Sequence, residues 1–589
     1  MKKTAFLYFL FVVQLVLGQT PTASENYIYT KQYLSADGSK KAETIQYFDG
    51  LGRPKQMISV KATPQGKDLV VPFEYDLLGR QSREILPVPM TTTNLGIQTV
   101  SEATANSYYG VANAYTEKKM EASPLARIQE VANPGTAWAM STGHTRKLVQ
   151  DVNQGDQVKK YSVTNGWNQK TTLLPIPTVS FYGDSQLGKS TVEDEDGNKT
   201  IEFTDSLGRT VLVRKVLSAN VFADTYYVYN DYGHLLYVIS PEADKTISKN
   251  GNTVTQNILD NLCYQYRYDS KNRLVEKQLP GKGKEYMIYD LQGRLVAYQD
   301  ANQRGEGKWL FTRYDKFGRT VYTGTFLNSG DRLQQQANAD AKGLNNEART
   351  TVSFTQNGKE FFYTNTAYPS GTITVLSVNY YDTYPGTRFS NTLIQPTSIL
   401  GQPTLAGNTA FDANGVKSIR SIKSLPTASM VKNLEDDAWT STHIWYDTQT
   451  RAIGSHTINH LGGYTKTETE LDFSGIPLQS KTLHKRLVTD TEKIILETFT
   501  YDSQNRLKMH KHKIDSNPEE ILAQHEYDEL SQLITKKVGG TNAAAPLQTI
   551  DYAYNIRGWM TQINDPTNLG TDLFGYKIKF NEVEGLQTP

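Results

Sequence analysis

The segment YDSKNRLVEKQLPGKGKEYMIYDLQGRLVAYQD, from Tyr268 to Asp300, contains one short motif twice. The motif is an aromatic residue, Asp, two variable residues, Gly or Asn, and Arg. Asp269 and Asp290 start the two turns and lie 21 positions apart (290 − 269). A period of about 20 to 50 residues indicates one supersecondary unit that is repeated and stacked on its neighbours.

The same motif returns along most of the chain. Close copies are FDGLGRP from Phe48, YDLLGR from Tyr75, TDSLGR from Thr204, YDKFGR from Tyr314 and YDSQNRL from Tyr501. Weaker copies are YNDYGHL from Tyr229, YDTQTRAI from Tyr446, LDFSGI from Leu471, YDELSQL from Tyr527 and YNIRGW from Tyr554.

Turn chemistry predicts that each copy is one β-hairpin. Asp at the first turn position accepts hydrogen bonds from backbone N–H groups further on, and the fourth position is where a positive φ costs least for Gly or Asn. A type I turn followed by a left-handed bulge residue is a common hairpin connection. The flanks alternate as strands do, with Tyr264, Tyr266 and Tyr268 before one turn and Leu274 after it.

The Arg of each copy follows the bulge position, and this even placement predicts a ladder. We expect each guanidinium to reach an Asp or a carbonyl on the next hairpin while its stem packs over a Tyr ring. The predicted structural turn residues are Asp49, Gly52, Arg53, Asp76, Gly79, Arg80, Asp205, Gly208, Arg209, Asp269, Asn272, Arg273, Asp290, Gly293, Arg294, Asp315, Gly318, Arg319, Asp502, Asn505 and Arg506.

The predicted fold is all-β with minor helical insertions, in which successive hairpins form a continuous curled sheet and part of a shell. Counting Gly and leaving out Tyr brings the hydrophobic fraction from 38% to about 39%, below the roughly 45–50% of ordinary globular domains. A broad sheet needs fewer apolar residues, and 36 Tyr can cover both of its faces. The formal net charge of +1 gives no overall field for nucleic acid or an anionic membrane.

Residues 1–18 have the layout of a secretory signal peptide. Lys2 and Lys3 precede an apolar run that ends at the small residue Gly18. The run is short for a membrane span, so we expect a mature, exported chain that starts near Gln19, with no span after cleavage. Cys263 is the only cysteine, which excludes an internal disulfide, and its strand-like neighbours predict a buried small hydrophobe.

The remaining chain divides into four predicted regions. Residues 25–175 form an N-terminal domain, in which the helix-like spacing between Ser101 and Val131 predicts one or two short helices. Residues 176–325 are a first repeat region and 326–440 a divergent β region, whose polar stretch from Ser329 to Arg349 is a helical insertion or a loop. Residues 441–589 are a second repeat region, which we expect to be cut short because no terminal cap follows the final copy.

The motif resembles the YD repeats of RHS (rearrangement hotspot) and teneurin-type proteins. In addition, Tyr47 to Pro54, Ser123 to Arg127, and Trp138 with Gly143-His144-Thr145 are similar to a domain of unknown function at the N-terminus of secreted RHS-family proteins of Gram-negative bacteria. The resemblance implies hairpins wound into a hollow shell around a C-terminal effector. The chain ends before the RHS-associated core, so release chemistry and toxicity are not carried over to any residue.

No pattern of side chains predicts catalysis, a cofactor or a metal. His456 is not followed by the Glu of the zinc-protease motif, and His510 and His512 sit among lysines, which favours a solvated edge. An EF-hand loop from Asp194 would need Gly where Lys199 stands, so a hairpin is favoured there. Asp565-Pro566 lacks the Gly-rich surroundings of self-cleavage sites and is interpreted as a turn.

Two functions follow as hypotheses. The first is a non-enzymatic structural segment of an exported RHS-type protein, with a C-terminal effector as partner, used in contact or antagonism between cells. The second is a surface adhesin whose exposed aromatic rings bind glycans. A hydrolase is a weaker third, because no combination of nucleophile and base emerges.

Overall fold

The computed structural model describes residues 20–356, 358–384, 395–405 and 421–580. The predicted signal peptide at 1–18 lies outside these ranges. Strands dominate the described residues and helices are few and short, which confirms the prediction of an all-β fold with minor helical insertions. The chain divides into two compact units, and each is described by itself.

The first unit comprises residues 1–145, 500–509 and 521–589. Its N-terminal elements are β1 (Asn26–Tyr33), β2 (Lys41–Phe48), β3 (Pro54–Val60), β4 (Asp68–Pro72), β5 (Arg83–Ile85), β6 (Val88–Met90), helix α1 (Glu102–Tyr109), β7 (Tyr115–Met120) and β8 (Ile128–Ala132). Strands pair antiparallel in the order β1-β2-β3-β4-β6, and separately as β5-β7-β8.

The second unit comprises residues 146–499 and 510–520. Its first strands are β9 (Arg146–Val152), β10 (Lys159–Ser162), β11 (Trp167–Asn168), β12 (Thr171–Thr172), β13 (Thr178–Phe181), β14 (Gly188–Glu193), β15 (Lys199–Thr204), β16 (Thr210–Ser218), β17 (Val221–Tyr229), β18 (Leu235–Ile239), β19 (Cys263–Tyr268), β20 (Leu274–Gln278), β21 (Glu285–Tyr289), β22 (Leu295–Gln299), β23 (Lys308–Tyr314) and β24 (Thr320–Leu327).

The second unit contains further strands. They are β25 (Arg349–Gln356), β26 (Lys359–Tyr363), β27 (Thr374–Tyr381), β28 (Ser398–Ile399), β29 (Gln402–Pro403), β30 (Pro426–Lys432), β31 (Trp439–Tyr446), β32 (Ala452–Ile458), β33 (Gly462–Leu471), β34 (Pro477–Leu487) and β35 (Lys493–Tyr501). Helices α2 (Pro241–Lys249), α3 (Gln256–Leu262), α4 (Ala301–Gly305) and α5 (Arg332–Asp340) lie in connections. Short 3-10 turns span Thr136–Trp138, Met140–Thr142 and Gly155–Gln157.

The C-terminal strands are β36 (Leu507–Ile514), β37 (Glu520–Tyr527), β38 (Leu533–Val538), β39 (Gln548–Tyr554), β40 (Met560–Ile563) and β41 (Tyr576–Lys577). Strands β37 to β41 pair in sequence order. In the first unit these hairpins contact the N-terminal part, since Ile556 packs on the cluster that contains Ile85, Ala105 and Tyr115. Arg557 lies over the ring of Trp138, with 3.8 Å from Cζ to the centroid.

In the second unit, one antiparallel sheet runs from β9 through β14 to β24, and on through β27 and β30 to β35. Because successive strands alternate in direction, the connections that carry the motif all lie at the same end of the strands. This row of turns is the turn edge of the sheet. Two buried clusters support the sheet, one under α2 and α3 around Phe203 and Tyr237, and one under the insertion 328–373 around Trp309 and Phe361.

The N-terminal region contains one of the one or two short helices predicted there, α1, and the residues after it form the paired strands β7 and β8. Ala, Glu and Lys are good helix formers, but intrinsic propensity is a weak preference that pairing with a neighbouring strand overrides. The polar stretch after Ser329 does contain a helix, α5, as one of its two predicted forms.

Candidate functional site at the turn edge

The predicted turns share one backbone geometry. In the copy after β19, the amide of Asp269 donates to the carbonyl of Arg273 at 2.9 Å, and the amide of Asn272 donates to the carbonyl of Asp269 at 3.0 Å. Asn272 has φ 60°, and Gly293 of the next copy has φ 82°. The strand register shifts between Arg267 and Tyr268, so each turn is a type I turn closed by a left-handed bulge residue.

Each turn Asp carries the same side-chain contacts. Oδ1 of Asp290 accepts from the amide of Arg294 at 2.9 Å, and Oδ2 accepts from Nε of Arg294 at 2.8 Å. A guanidinium that donates through Nε and a terminal nitrogen to one carboxylate has fixed direction and charge-assisted strength. The Nε contact measures between 2.6 and 2.8 Å in Asp49–Arg53, Asp76–Arg80, Asp205–Arg209, Asp269–Arg273, Asp315–Arg319 and Asp502–Arg506.

The guanidinium also reaches the following hairpin, as the ladder prediction requires. Nη1 of Arg273 donates to the carbonyl of Asp290 at 3.1 Å, and Nη1 of Arg294 donates to that of Asp315 at 3.0 Å. The guanidinium also lies over the ring of the next repeat, with Cζ of Arg273 4.7 Å from the centroid of Tyr289 and Cζ of Arg294 4.9 Å from that of Tyr314. The planar ion can therefore hold a carboxylate, a carbonyl and an aromatic face at once.

The tyrosine of each repeat returns a hydrogen bond to the previous hairpin. The hydroxyl of Tyr289 donates to the carbonyl of Leu274 at 2.7 Å, and that of Tyr314 donates to Leu295 at 2.7 Å. For Tyr289 and Tyr314 the accepting residue directly follows the ladder Arg of the previous turn. The same bond is made by Tyr75, Tyr446, Tyr527 and Tyr554. Arg and Tyr thus interlock neighbouring hairpins from both sides.

Not every predicted Arg ends on a YD turn. Nη1 of Arg80 donates to the carbonyl of Glu121 at 3.2 Å. Nη1 of Arg506 donates to Oγ of Ser531 in the next YD turn at 2.6 Å and also to the carbonyl of Ala62 at 2.7 Å. All of these contacts lie within the first unit. Arg53 and Arg209 lie over the rings of the next tyrosines, Tyr75 and Tyr229.

The ladder sets the charge state of its carboxylates. For Asp49 and Asp76, hydrogen bonds from the backbone of Arg53 and Arg80 come first and hold the pKa below its usual value. For Asp205 and Asp502, burial is the largest influence and raises the pKa, but the hydrogen bonds from Arg209 and Arg506 together outweigh it, so the pKa falls. These carboxylates are ionised and committed to turns, which leaves them unsuited to general acid or base work.

Sequence reasoning missed one member of the ladder. Asp382 follows Tyr381 at the end of β27, and its carboxylate accepts from Nη1 and Nη2 of Arg319 at 2.9 and 2.6 Å. The ring of Tyr381 lies under the same guanidinium, 4.5 Å from Cζ. The Tyr-Asp dipeptide is the signal that could have revealed it, although no Gly or Arg follows at the usual spacing.

The weaker copies form the same turn at a conformational cost. Thr450 and Ser531 hold the bulge position with φ 66° and 67°. The left-handed region costs a residue with a Cβ about 1–2 kcal/mol. The hydrogen bonds of Asp447 and Asp528 to the turn amides supply compensation.

The histidines do not form a metal centre within the described ranges. Nε2 of His510 lies 2.9 Å from Glu497, and Nε2 of His512 lies 3.2 Å from Glu520, so the predicted solvated edge is a pair of His–Glu contacts. His456 stands opposite the buried His443 in the register of β31 and β32. Burial first, and then nearby His456, lowers the pKa of His443 to about 4.

The structure also describes the hairpin predicted at Asp194 and the cysteine predicted to be buried. Asp194 starts a hairpin turn in which Gly197 has φ 82° and Asn198 closes the hydrogen bond. Cys263 is buried, and burial raises the pKa of its thiol to about 12. A thiol of that kind stays protonated and behaves as a small hydrophobe, as predicted.

None of the helices in the described ranges has the length and apolar character that a membrane crossing requires.

Comparison with known proteins adds one family match. Residues 20–150 match DUF6443, a domain of unknown function. The match covers the region that contains the predicted N-terminal signatures at Tyr47 and Trp138. No curated protein matches the chain.

Solved structures with similar arrangements include the Tc holotoxin pore of Photorhabdus luminescens with a mutation in TccC3. The sequence identity is 14% and the TM-score is 0.45, and the alignment covers 91% of this chain and 22% of that one. The TcdB2-TccC3-Cdc42 structure has 12% identity and a TM-score of 0.39, with 91% and 24% covered. TcdB2-TccC3-TEV has 12% identity and a TM-score of 0.39, with 95% and 25% covered. This chain spans about a quarter of the length of those chains.

Proposed function

We propose that this chain is a non-enzymatic structural segment of an exported YD-repeat protein of the RHS type. Its hairpins would supply part of the wall of a β-shell that encloses or presents a C-terminal effector. The observation that carries the proposal is the antiparallel pairing that continues from β14 to β35, with interlocked turns along one edge. A wall needs continuity between repeats, and the ladder contributes to it where an Arg reaches the next turn, as Arg273 and Arg294 do.

The chemistry of the repeats supports a structural role. A residue type that performs the same task in every copy is architectural, and the ladder aspartates are already paired with arginines. One face of an antiparallel sheet can also pack against other residues while the opposite face contacts solvent. Function then resides in what the wall surrounds, and not in the wall.

Protease protection in the full-length gene product tests enclosure. An epitope placed after residue 589 is expected to survive protease in the native protein and to be lost after denaturation. The matched control carries the epitope in the exposed segment 541–545, where digestion is expected in the native state. Equal loss of both epitopes from the native protein would contradict the proposal.

We also propose export through residues 1–18. N-terminal sequencing of the protein recovered outside the cytoplasm is expected to start near Gln19. Replacement of Lys2 and Lys3 by Glu should retain the protein in the cytoplasm, because the basic segment orients a signal peptide. Recovery of an uncleaved chain in the medium would overturn the assignment.

A second candidate function, glycan binding, has one specific observation in its favour. Trp167 and Tyr232 are 38% and 57% exposed, and their ring centroids lie 5.6 Å apart. Adjacent exposed rings can stack on sugar faces. A glycan array should show binding that the Trp167→Ala variant loses, and an array without reproducible binding removes this candidate.

A further inference from the structure

A polar groove of about 390 Å³ opens beside the turn edge of the second unit. Its walls are the β11–β12 hairpin, the turn that follows β19, and one face of α5. Leu333 and Ala337 of α5 supply an apolar surface between polar side chains. The volume lies within the range of about 300–1,000 Å³ that holds small ligands.

The most informative side chain in the groove is Arg332, which is only 6% exposed. Its Nε donates to Glu276 at 3.2 Å, and its Nη2 donates to the hydroxyl of Thr171 at 2.6 Å. A guanidinium has five N–H donors, and these two contacts use the Nε and Nη2 groups of Arg332, which leaves donors that can face a ligand in the groove.

Cations outnumber carboxylates around Arg332. Glu276 pairs with two cations, because its other oxygen accepts from Nη1 of Arg267 at 3.0 Å. Asp269 is paired with Arg273, and Asp340 accepts a hydrogen bond from Gln336. The cations in and beside the groove are Arg267, Arg273, Arg332, Lys170 and Lys271, and the carboxylates are Asp269, Glu276 and Asp340.

The excess of positive charge has a physical consequence. A buried cation is costly unless it is paired, so the partly neutralised Arg267–Glu276–Arg332 group favours one more anion. Lys170 and Lys271 are exposed at the mouth and would meet an entering anion first. Phosphate and carboxylate groups match the planar donors of arginine.

The hairpin at the mouth has an unusual backbone. Gln169 and Lys170 form its two central residues with φ 47° and 65°, where Gly or Asn is usual. Positive φ at two successive residues with a Cβ is a strained arrangement that clusters at ligand sites. Lys170, at the second of these positions, lines the groove.

We propose that this groove binds a small polar molecule, the size of a monosaccharide, through a carboxylate or phosphate group. Arg332 and the two lysines hold the anion, and Thr171, Gln336 and the apolar face of α5 contact the uncharged part. The site is independent of the proposed shell and would be present whether or not the chain encloses an effector.

Titration calorimetry on the whole chain tests the proposal. The probes are glucuronate, glucose 6-phosphate and, as the uncharged reference, glucose. Saturable binding of glucuronate alone assigns a carboxylate ligand, and binding of glucose 6-phosphate alone assigns a phosphate ligand. Binding should weaken with added salt, because the contact is between charges.

Variants at the mouth avoid disturbing the buried ion group. Lys170→Glu and Lys271→Glu should each weaken binding by about tenfold or more, equivalent to about 1.4 kcal/mol. Ala337→Trp should block binding by filling the groove without a change of charge. The matched control is Lys316→Glu, an exposed lysine on another YD turn, for which binding should stay within about twofold.

Three outcomes would overturn the proposal. They are no saturable binding of either acidic probe, equal binding of glucose, and equal weakening by Lys316→Glu and by the variants at the mouth. Circular dichroism of every variant checks that the strand content is retained, so that a lost signal reports the groove and not unfolding.

Discussion

At the scale of the residue, the ladder arginine is the part of the repeat that joins one hairpin to the next. Arg294 contacts Asp290 of its own turn, the carbonyl of Asp315 in the next turn, and the carbonyl of Asn345 at 2.9 Å. Asp290 is fully buried, so its charge depends on this partner. Removal of the arginine therefore leaves both an unpaired carboxylate and orphaned carbonyls.

Replacement of Arg294 by Ala is expected to destabilise the sheet locally by about 3 kcal/mol, because charged hydrogen bonds are lost and a buried carboxylate is left alone. Hydrogen exchange should accelerate in β22 and β23. Lys316→Ala, on an exposed position of the next turn, is the control and should change little. An unchanged melting curve and unchanged exchange in Arg294→Ala would count against the ladder.

The buried His443 predicts a pH dependence between about pH 6.5 and 4. Burial lowers its folded-state pKa to about 4, while the unfolded chain has an ordinary pKa of about 6.5. Below pH 6.5 the unfolded state binds the proton more readily, so stability falls as the pH falls through this window. The shift corresponds to about 3 kcal/mol at most.

Urea unfolding of the second unit at pH 7 and pH 4.5 measures this effect. His443→Gln should flatten the dependence over that window, whereas His460→Gln, at an exposed position, should leave it unchanged. Further loss below about pH 4 is expected in all variants, since the lowered pKa of Asp205 makes its protonation unfavourable to the fold. An identical pH profile in His443→Gln and the unmodified protein would refute the assignment.

At the scale of the element, a buried ion pair contributes to holding the insertion 328–373 against the sheet. Arg313 of β23 is 1% exposed, and its Nη1 lies 3.0 Å from Oε1 of Glu347, which is equally buried. Glu347 also accepts from the amide of Ala367 at 2.9 Å. The pair thus joins a strand to the two ends of the β25–β26 hairpin.

Glu347→Gln is expected to cost about 3–5 kcal/mol, because it leaves the Arg313 charge buried without its counterion. The matched control Glu360→Gln changes an exposed carboxylate on β26 and should cost little. The double variant Arg313→Met with Glu347→Leu should recover much of the stability, as apolar replacements of buried ion pairs often do. Equal unfolding midpoints for Glu347→Gln and Glu360→Gln would show that the pair is not needed.

At the scale of the whole molecule, segments far apart in the sequence share one compact unit. The described residues 20–145 belong to the same unit as 500–509 and 521–580. The predicted division at 175 treated the N-terminal region as a domain by itself, whereas its contacts include hairpins from the far end of the sequence. Ile556, Arg557 and Arg506 supply these contacts.

Ile556→Asp should therefore loosen the N-terminal part and the C-terminal hairpins together. Burial of a carboxylate without a partner is unfavourable, so both segments should become sensitive to limited proteolysis while 146–499 resists. Leu573→Asp, at a position that is 85% exposed, is the control and should resist like the unmodified chain. New cuts confined to one segment would show that the two do not depend on each other.

Much of the fold follows from local chemistry. The hairpin at each Asp–Gly or Asp–Asn turn could be predicted because Asp, Gly and Arg act within five residues of each other. Local preference does not decide the residues after α1, where strand pairing overrides helix propensity. Local reasoning missed Asp382, because a long connection separates β27 from β30 and hides the usual spacing.

The sequence by itself determined the repeating unit, its turn conformation and the direction in which each arginine leaves the turn, because these depend on backbone sterics and near neighbours. Only the tertiary structure decided the partners beyond the next hairpin. The shared use of Glu276 by Arg267 and Arg332, the burial of Arg313 with Glu347, and the contact of Ile556 with the N-terminal cluster join residues far apart in the chain. Such pairings depend on how sheets and insertions pack, and no local pattern specifies them.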